Sequence, residues 1–427
     1  MAISGVNSPN PVASDTAATH RVALIVVTTL FFMWGFITVL NDVLVPHLKS
    51  IFDLSYAKVM MIQFAFFTAY FIFSLPAAKI VDKLGYKKTM VVGLFTMGIG
   101  ALLFIPAASA PSYPLFLGAL MVVAAGITAL QVAANPYVAV LGPSNTASSR
   151  LNLAQAFNSL GTTVGPYVGG LFILTAAPKA IEVIRAMSAD AQQAYRVQEA
   201  ASVKMPYLII AVVLFLLATA IGMFKLPPVP SAEKHGKVAD NVWKHRNLAL
   251  GTIAIFVYVG AEVSIGSFLI NYISQADIGN ISIFEAARFV SYYWGGAMVG
   301  RFIGSWILQK VKTGTVLGIA GLMAGLLVCV SMLTFGHVAM WSIILVGFFN
   351  SVMFPSIFTL GIAELGPLTG DGSGYLIMAI VGGAILPVIQ GVMADRIGIH
   401  HAFILPVLCY LYIAYYAFKG SEPVVTA

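Results

Sequence analysis

Two carboxylic acids stand inside long apolar stretches of this chain. Asp42, in FITVLNDVLVPH, and Glu262, in VYVGAEVSIGSFLINY, are the two acids that fall well inside such runs. A charge buried in hydrocarbon is costly, and an acid at that depth marks an ion or substrate pathway. Burial favours the protonated acid, so either group could carry a proton near neutral pH. Together with amide and backbone oxygens, either group could instead bind Na⁺.

Primary amides recur near these acids at helical spacing. Gln131 and Asn135 lie one turn apart in ALQVAANPY, and a longer polar stripe follows in the next apolar run. Residues three and four apart share one face of a helix. One buried amide can join two helices, but stripes on two consecutive helices predict a polar cavity. The second stripe consists of Asn152, Gln155, Asn158 and Thr162.

Amides suit the recognition of hydroxyl groups. A hydroxyl both donates and accepts hydrogen bonds, and so does a primary amide. A cavity that combines amides with acids and aromatic faces is therefore suited to sugars. The candidate sugar contacts are Asn41, Gln131, Asn135, Gln155, Asn158, Asn271 and Asn350.

Composition places these groups in a membrane protein. Of the 427 residues, 59% are hydrophobic and only 9% are charged, against about a quarter charged in soluble domains. The net charge of +7 is small for this length and does not suggest a nucleic-acid partner. Cys329 and Cys409 fall in apolar runs without metal-ligand spacing, and they are expected to be free buried thiols. No cofactor and no enzymatic motif are predicted.

Apolar runs of about 20 residues predict twelve membrane-spanning helices in two sets of six. The predicted spans lie near 22–47, 57–80, 89–108, 113–139, 150–176, 205–225, 247–274, 284–309, 313–333, 337–365, 372–395 and 402–419. The predicted units are a cytoplasmic tail at 1–21, a six-helix half at 22–225, a cytoplasmic loop at 226–246, a second half at 247–419 and a cytoplasmic tail at 420–427. With both termini inside, most Lys and Arg residues fall on the cytoplasmic side, Arg301 among them, which satisfies the positive-inside rule.

Two short motifs resemble known transporter signatures. AKIVDKLGYKK resembles the gating-loop signature of major facilitator proteins, although Ala78 stands where that signature usually has glycine. A second match at 391–398 is interpreted as coincidence or as a helix-ending turn. GTTVGPYVGG resembles the fifth-span signature of drug/proton antiporters, and close helix packing is the competing interpretation. The gating-loop residues are Asp82, Lys83, Gly85, Lys87 and Lys88.

Longer blocks resemble the fucose–galactose–glucose:cation symporter family of major facilitator proteins. They are FFMWGFITVLNDVLVPHLK, AANPYVAVLGP, RLNLAQAFNSLGTTVGPY, YVGAEVSIGSFLINY, GRFIGSW and FPSIFTLGIAELG. The resemblance implies an all-α protein of twelve transmembrane helices in two six-helix halves, which imports a monosaccharide by alternating access. It also implies that Asp42 is the first-span acid and that Gln155 and Asn158 bind sugar. The match is nearer to the glucose/galactose branch than to the L-fucose:proton symporter.

One departure from the L-fucose:proton symporter bears on coupling. That protein carries a glutamate where this chain has Gln131, and an amide where this chain has Glu262. We therefore predict that Asp42 and Glu262 are the coupling acids, with H⁺ or Na⁺ as the ion and with Na⁺ possible at either acid.

The sequence predicts import of glucose, galactose, fucose or N-acetylglucosamine across a bacterial inner membrane by a monomer. A proton-driven exporter of sugars or drugs and a membrane sugar sensor without transport activity are the alternatives.

Overall fold

Helices make up nearly all of the described chain. The computed structural model describes residues 20–39, 56–109, 112–172, 183–184, 186–201, 203–227 and 242–423, and it contains no strand within these ranges. Hydrocarbon offers no partner to backbone N–H and C=O groups, so an apolar segment satisfies them internally by forming a helix.

In the first half of the chain, the described residues form six helices. Helix α2 is broken at Gly85, whose φ of 79° lies in the left-handed region that glycine adopts freely. The two arms of α2 therefore account for the second and third predicted spans. The helices are α1 His20–Val39, α2 Tyr56–Ser109, α3 Tyr113–Val140, α4 Ala147–Phe172, α5 Ala189–Ala201 and α6 Lys204–Met223.

The second half contains nine further helices, several of which are short and follow one another along a single crossing. Each of the twelve predicted spans overlaps at least one described helix. The helices are α7 Arg246–Ile273, α8 Ile283–Ile307, α9 Thr313–Leu333, α10 Gly336–Asn350, α11 Met353–Gly361, α12 Thr369–Met378, α13 Gly382–Ile397, α14 Ile399–Ala402 and α15 Ile404–Tyr415.

Two long helices stand apart from the rest in composition. Nine helical segments of the described ranges are long and apolar enough to cross a membrane, and one of them, Met61–Ser109, includes the break at Gly85. Helices α4 and α8 have the length but are not among the nine, because polar side chains run along them. These two helices pack against each other, so the least apolar surfaces meet at the contact between the halves.

One end of the bundle carries Gly85 and the turns at 141–146, 308–312 and 362–368. We call it the loop end. The two halves are joined there, since α12 packs on α2 and α3, while α4 packs on α8 and α11.

Hydrogen bonds between the halves seal the loop end. The Ser148 Oγ lies 2.9 Å from Thr313 Oγ1 and 2.6 Å from Thr359 Oγ1. The Ser373 Oγ donates to the carbonyl of Val132 at 2.9 Å. All of these residues lie within a few turns of the loop end, so this conformation is closed there.

Glycines bring α1 and α4 into backbone contact. A Cβ on Gly161 would lie 2.3 Å from the Phe32 carbonyl oxygen, and one on Gly35 would lie 2.3 Å from the Asn158 carbonyl oxygen. Carbon and oxygen cannot approach so closely, so both positions require glycine. Close packing therefore accounts for Gly161 of GTTVGPYVGG.

Candidate functional site

The amide of Gln131 is held by a tyrosine within the first half. Its Nε2 donates to the hydroxyl of Tyr70 at 2.9 Å, and 7% of its surface is exposed. One hydrogen bond leaves the Gln131 carbonyl oxygen free to accept a further donor. The prediction that Gln131 lines a polar site is compatible with this placement and remains a prediction.

Asn135 is placed one turn further along α3 and is fully buried. Within the described residues neither atom of its amide has a hydrogen-bond partner, and the same holds for the buried Ser74 Oγ on α2. Because Ser74 follows Tyr70 by one turn as Asn135 follows Gln131, the two groups occupy the same α2–α3 contact. Asn135 is sealed inside the helix contact, away from the surface that a sugar could reach.

Glu262 belongs to a network of buried tyrosines in the second half. The Tyr258 hydroxyl donates to Glu262 Oε1 at 2.8 Å and to the Asn350 carbonyl at 3.1 Å. The Asn350 amide is occupied on both sides, since Nδ2 donates to Tyr293 at 2.8 Å and Oδ1 accepts from Tyr410 at 2.9 Å. Asn350 is fully buried. Its amide therefore positions the tyrosines around Glu262, and in this conformation burial keeps its second N–H and its second lone pair away from a sugar hydroxyl.

Gln131 and Asn350 occupy matching positions of the two halves. Each stands five residues before a proline, on α3 and α10 respectively. Each also donates its amide to a tyrosine, Tyr70 on α2 and Tyr293 on α8. The two halves thus share a repeated tyrosine–amide contact.

We expect Asn350→Leu to destabilise the protein by about 3 kcal/mol, because it leaves the buried Tyr293 and Tyr410 hydroxyls short of a partner. Asn271→Leu is the matched control. Asn271 is exposed, nine residues or about 13 Å beyond Glu262 along α7, so a change within about 0.5 kcal/mol is expected. Thermal unfolding of the purified variants measures the difference, and equal melting temperatures would contradict the positioning role of Asn350.

The polar stripe of α4 divides between two partners. Asn152 Nδ2 donates to the Arg301 carbonyl at 2.7 Å, whereas Asn158 Nδ2 donates to the Phe31 carbonyl of α1 at 3.0 Å. Steps of three residues drift by about 60° each around a helix, so the stripe spreads over an arc. Gln155, midway along it, is 7% exposed, and its side chain has no hydrogen bond to any described residue. Among these amides Gln155 is the best placed to bind a ligand.

Arg301 lies inside a helix and not in a cytoplasmic loop, where the sequence analysis placed it. It was counted with the cytoplasmic loop cations, but it lies inside α8, six residues before the helix ends. Its Nη1 donates to the Ser159 Oγ and, at 3.5 Å, to the Gln155 carbonyl on α4. A cation eight residues inside the predicted span 284–309 was the available signal. The positive-inside rule assigns a cation near the end of a span to the adjoining loop, and this assignment hid the position of Arg301 inside the helix.

The gating-loop signature forms the turn between the arms of α2. Lys87 donates from Nζ to the Gly222 carbonyl of α6 at 2.8 Å, and Lys83 and Lys88 are exposed. A Cβ on Gly370 would lie 2.6 Å from Asp82 Oδ1, so the Asp82 carboxylate rests against the first turn of α12. The loop of one half thereby contacts a helix of the other.

Asp371, in the same turn of α12, repels Asp82. More than a third of the Asp82 surface is accessible, yet partial burial and then the Asp371 charge raise its pKa from 3.8 to about 6. A raised pKa means that the closed loop end binds this proton more tightly than a conformation with Asp82 in water. The stabilisation is therefore complete below pH 3.8 and is lost as the pH rises through about 6.

We expect Asp371→Asn to move that loss of stability to lower pH. The variant removes the Asp371 charge, which is the second cause of the raised pKa of Asp82. The melting temperature measured from pH 4.5 to 7 should fall less steeply in this variant than in the wild type. Asp395→Asn removes an exposed acid at the end of α13 and should leave the profile unchanged. Superimposable wild-type and Asp371→Asn profiles would contradict the contact between the two acids.

Residues 23–379 match the model of the Major Facilitator Superfamily. The chain belongs to this family. The predicted all-helical major facilitator fold is thereby confirmed. Family members are transporters, so the expectation that this chain is not an enzyme is confirmed by the family.

Full-length relatives carry sugar-transporter names. The chain is 51% identical to a protein of Brucella abortus biovar 1 (strain 9-941) named glucose/galactose transporter, over 97% of this chain and 98% of that one. It is 36% identical to the L-fucose-proton symporter of Escherichia coli (strain K12), over 92% of each. Among solved structures, the major facilitator transporter FucP in the outward conformation has a TM-score of 0.86 and 34% identity, covering 93% of this chain and 98% of that one.

As in many major facilitator proteins, related motifs occur in both halves. The second match to the loop signature, at 391–398, ends α13 with Gly398 at φ 83°, so the interpretation as a helix-ending turn agrees with the backbone.

Cys329 and Cys409 are free, and Cys409 is buried as expected while Cys329 is partly exposed. Asn41 and Asp42 lie outside the described residues.

Proposed function

We propose that this major facilitator protein imports a monosaccharide, glucose or galactose first, together with a proton. Glu262 carries the proposal. Among the described residues it is the carboxylate midway along a membrane-crossing helix. The Tyr258 hydroxyl donates to it at 2.8 Å, and Arg301, which binds α4 of the other half, attracts it electrostatically. A carboxylate at that depth is expected to mark an ion pathway. Asp42 is proposed as the second coupling acid.

The names of two relatives support the proposed substrate class and the proposed ion. One is named glucose/galactose transporter and another L-fucose-proton symporter. The second name supports H⁺ over Na⁺. Sugar hydroxyls are proposed to meet Gln131 and Gln155, which lie on consecutive helices and retain amide capacity. Asn41 is a further proposed contact, while Asn158 is proposed to orient α4 through its bond to α1.

We assign the loop end to the cytoplasm. It carries Lys83, Lys87 and Lys88, as the positive-inside rule requires. Both termini are then cytoplasmic, and the conformation described here is closed toward the cytoplasm, as is expected of the outward state named for FucP. The two halves, 22–225 and 247–419, are proposed to rock about the central site as a monomer.

Uptake by proteoliposomes tests the function. Radiolabelled glucose or galactose is offered with an inward proton gradient, an inward Na⁺ gradient or neither, and protein-free liposomes serve as the control. Accumulation above equilibrium with the proton gradient alone is expected, and a protonophore should abolish it. Accumulation that follows only the Na⁺ gradient would overturn the proton assignment.

The same vesicles test the other substrates. L-Fucose and N-acetylglucosamine compete with the labelled sugar if they share the site. Absence of uptake for all four sugars, together with proton-driven loss of a preloaded sugar or drug, would overturn import in favour of export.

A further inference from the structure

Within the described residues, Arg301 binds the opposite half and also attracts the Glu262 carboxylate electrostatically. Its guanidinium belongs to α8, but its hydrogen bonds go to Ser159 and to the carbonyl of Gln155 on α4. Asn152 of α4 in turn donates to the Arg301 carbonyl at 2.7 Å. Side chain and backbone of this residue therefore both bind α4 while the loop end is closed.

The guanidinium is only partly satisfied by these bonds. Arginine has five N–H donors, and within the described residues the buried Nε has no partner. The Gln155 contact, at 3.5 Å, is long. A buried cation held by neutral acceptors gains from a nearby carboxylate.

Such a carboxylate lies within Coulombic reach. Arg301 attracts Glu262 across the space between α8 and α7, yet the Glu262 Oε1 is bonded to Tyr258. Within the described chain, the groups that face Glu262 are Tyr258 on its own helix, Tyr293 and Arg301 on α8, and Tyr410 on α15. Arg301 is the charged group among them, so its position sets the electrostatic surroundings of Glu262.

We propose that Arg301 is a coupling residue. When the loop end opens, its guanidinium gives up its hydrogen bonds to α4 and binds the Glu262 carboxylate instead. Opening separates α4 from α8 and removes the Ser159 and Gln155 acceptors. The guanidinium then turns to Glu262, where the approach of a positive charge favours the carboxylate. The O–H bond of the Glu262 carboxyl breaks, its electron pair stays on the oxygen, and the proton leaves to water at the opened end.

The return step reverses these changes. When the halves close again at the loop end, Arg301 re-forms its bonds to α4 and Glu262 takes up a proton from the other side. Linkage is reciprocal, so protonation of Glu262 favours the closed loop end. The proposal rests on the proposed function in taking the proton as the coupling ion, but it does not depend on which sugar is carried.

A cysteine reporter at the loop end tests the exchange without any sugar. Cys329→Ser and Cys409→Ser remove the native thiols, and Ser148→Cys places a thiol in the seal between the halves. Alkylation by a maleimide, normalised to denatured protein at each pH, measures opening. The range from pH 6.5 to 8.5 lies above the pKa of about 6 of Asp82, whose residual contribution is common to all variants.

We expect labelling of the reporter protein to rise about fivefold or more over this range, as Glu262 loses its proton and draws Arg301 from α4. Glu262→Gln should stay closed and nearly flat. Arg301→Gln retains an N–H donor for α4 but has no charge, so its labelling should also be nearly flat with pH. Arg301→Lys keeps the charge without the planar fork, and part of the rise should return.

A wild-type rise in Arg301→Gln would overturn the proposal, because it would reduce Arg301 to a structural contact. A flat profile in the parent reporter would overturn it as well. Pulse-labelled yield and size-exclusion elution of each variant show that the compared proteins are folded. If the pH-dependent labelling holds while no sugar is transported, the substrate assignment fails and the Arg301–Glu262 exchange stands.

Discussion

Glu262→Gln is expected to abolish gradient-driven accumulation while exchange of labelled for unlabelled sugar across the vesicle membrane continues. Glutamine keeps the shape and still accepts the Tyr258 hydrogen bond, but it cannot take up and release a proton. Sugar accumulation should fall from a ratio approaching about tenfold to equilibrium, since an imposed gradient of one pH unit sets a limit of tenfold for one proton.

Glu285→Gln is the matched control, because Glu285 is an exposed acid of the same type at the first turn of α8. It should accumulate sugar as the wild type does. Full accumulation by Glu262→Gln would show that the second acid of the mechanism did not move from the position of Gln131 to α7. In that case Asp42 alone would have to carry the coupling proton.

The second large effect is expected from Gly161→Ala. A Cβ at this position would meet the Phe32 carbonyl oxygen at 2.3 Å and the Phe36 backbone nitrogen at 2.9 Å. Backbone atoms cannot turn aside as a flexible side chain does, so α1 and α4 must separate. Overpacking costs about 1–3 kcal/mol and more where backbone must move, and we expect a loss of about 3 kcal/mol or more with a sharply reduced yield of folded protein.

Gly118→Ala provides the opposite expectation on the neighbouring helix. Gly118 is exposed on α3 and an added Cβ would meet nothing within 4 Å. Replacing a helical glycine by alanine at such a site raises stability by about 0.4–1 kcal/mol. Thermal unfolding of both variants in one detergent compares them directly. If Gly161→Ala unfolds at the wild-type temperature, the close approach of α1 and α4 is wrong.

Hydropathy and turn chemistry made most of the fold predictable. Runs of apolar residues located the helices, and Gly85, inside the charged AKIVDKLGYKK segment, located a turn that only a residue with left-handed freedom accommodates comfortably. The predicted span ends differ from the helix ends because hydropathy measures depth in the membrane, whereas helices continue into capped turns such as that of Ser282 and Glu285.

The site was only partly predictable, because the sequence shows where an amide stands but not which group it hydrogen-bonds in the fold. Gln131 and Asn350 look equivalent along the chain, yet one retains a free acceptor and the other is bonded on both sides by tyrosines from distant helices. Asn158 looked like a ligand contact and instead bonds the α1 backbone. Such partners are set by helix rotation and tilt, which periodicity fixes only to within an arc.

The repeated tyrosine–amide contacts of the two halves have a consequence for the orientation of a bound sugar. Two identical halves related by a twofold axis would offer a ligand on that axis the same groups from both sides. A hexose has no such symmetry, so identical halves would hold it equally well in two opposed orientations. The halves differ at these two amides. The side-chain oxygen of Gln131 has no hydrogen bond to a described residue, whereas both ends of the Asn350 amide bond tyrosines beside Glu262. The choice of one orientation for a bound hexose must therefore arise at the positions where the two halves differ.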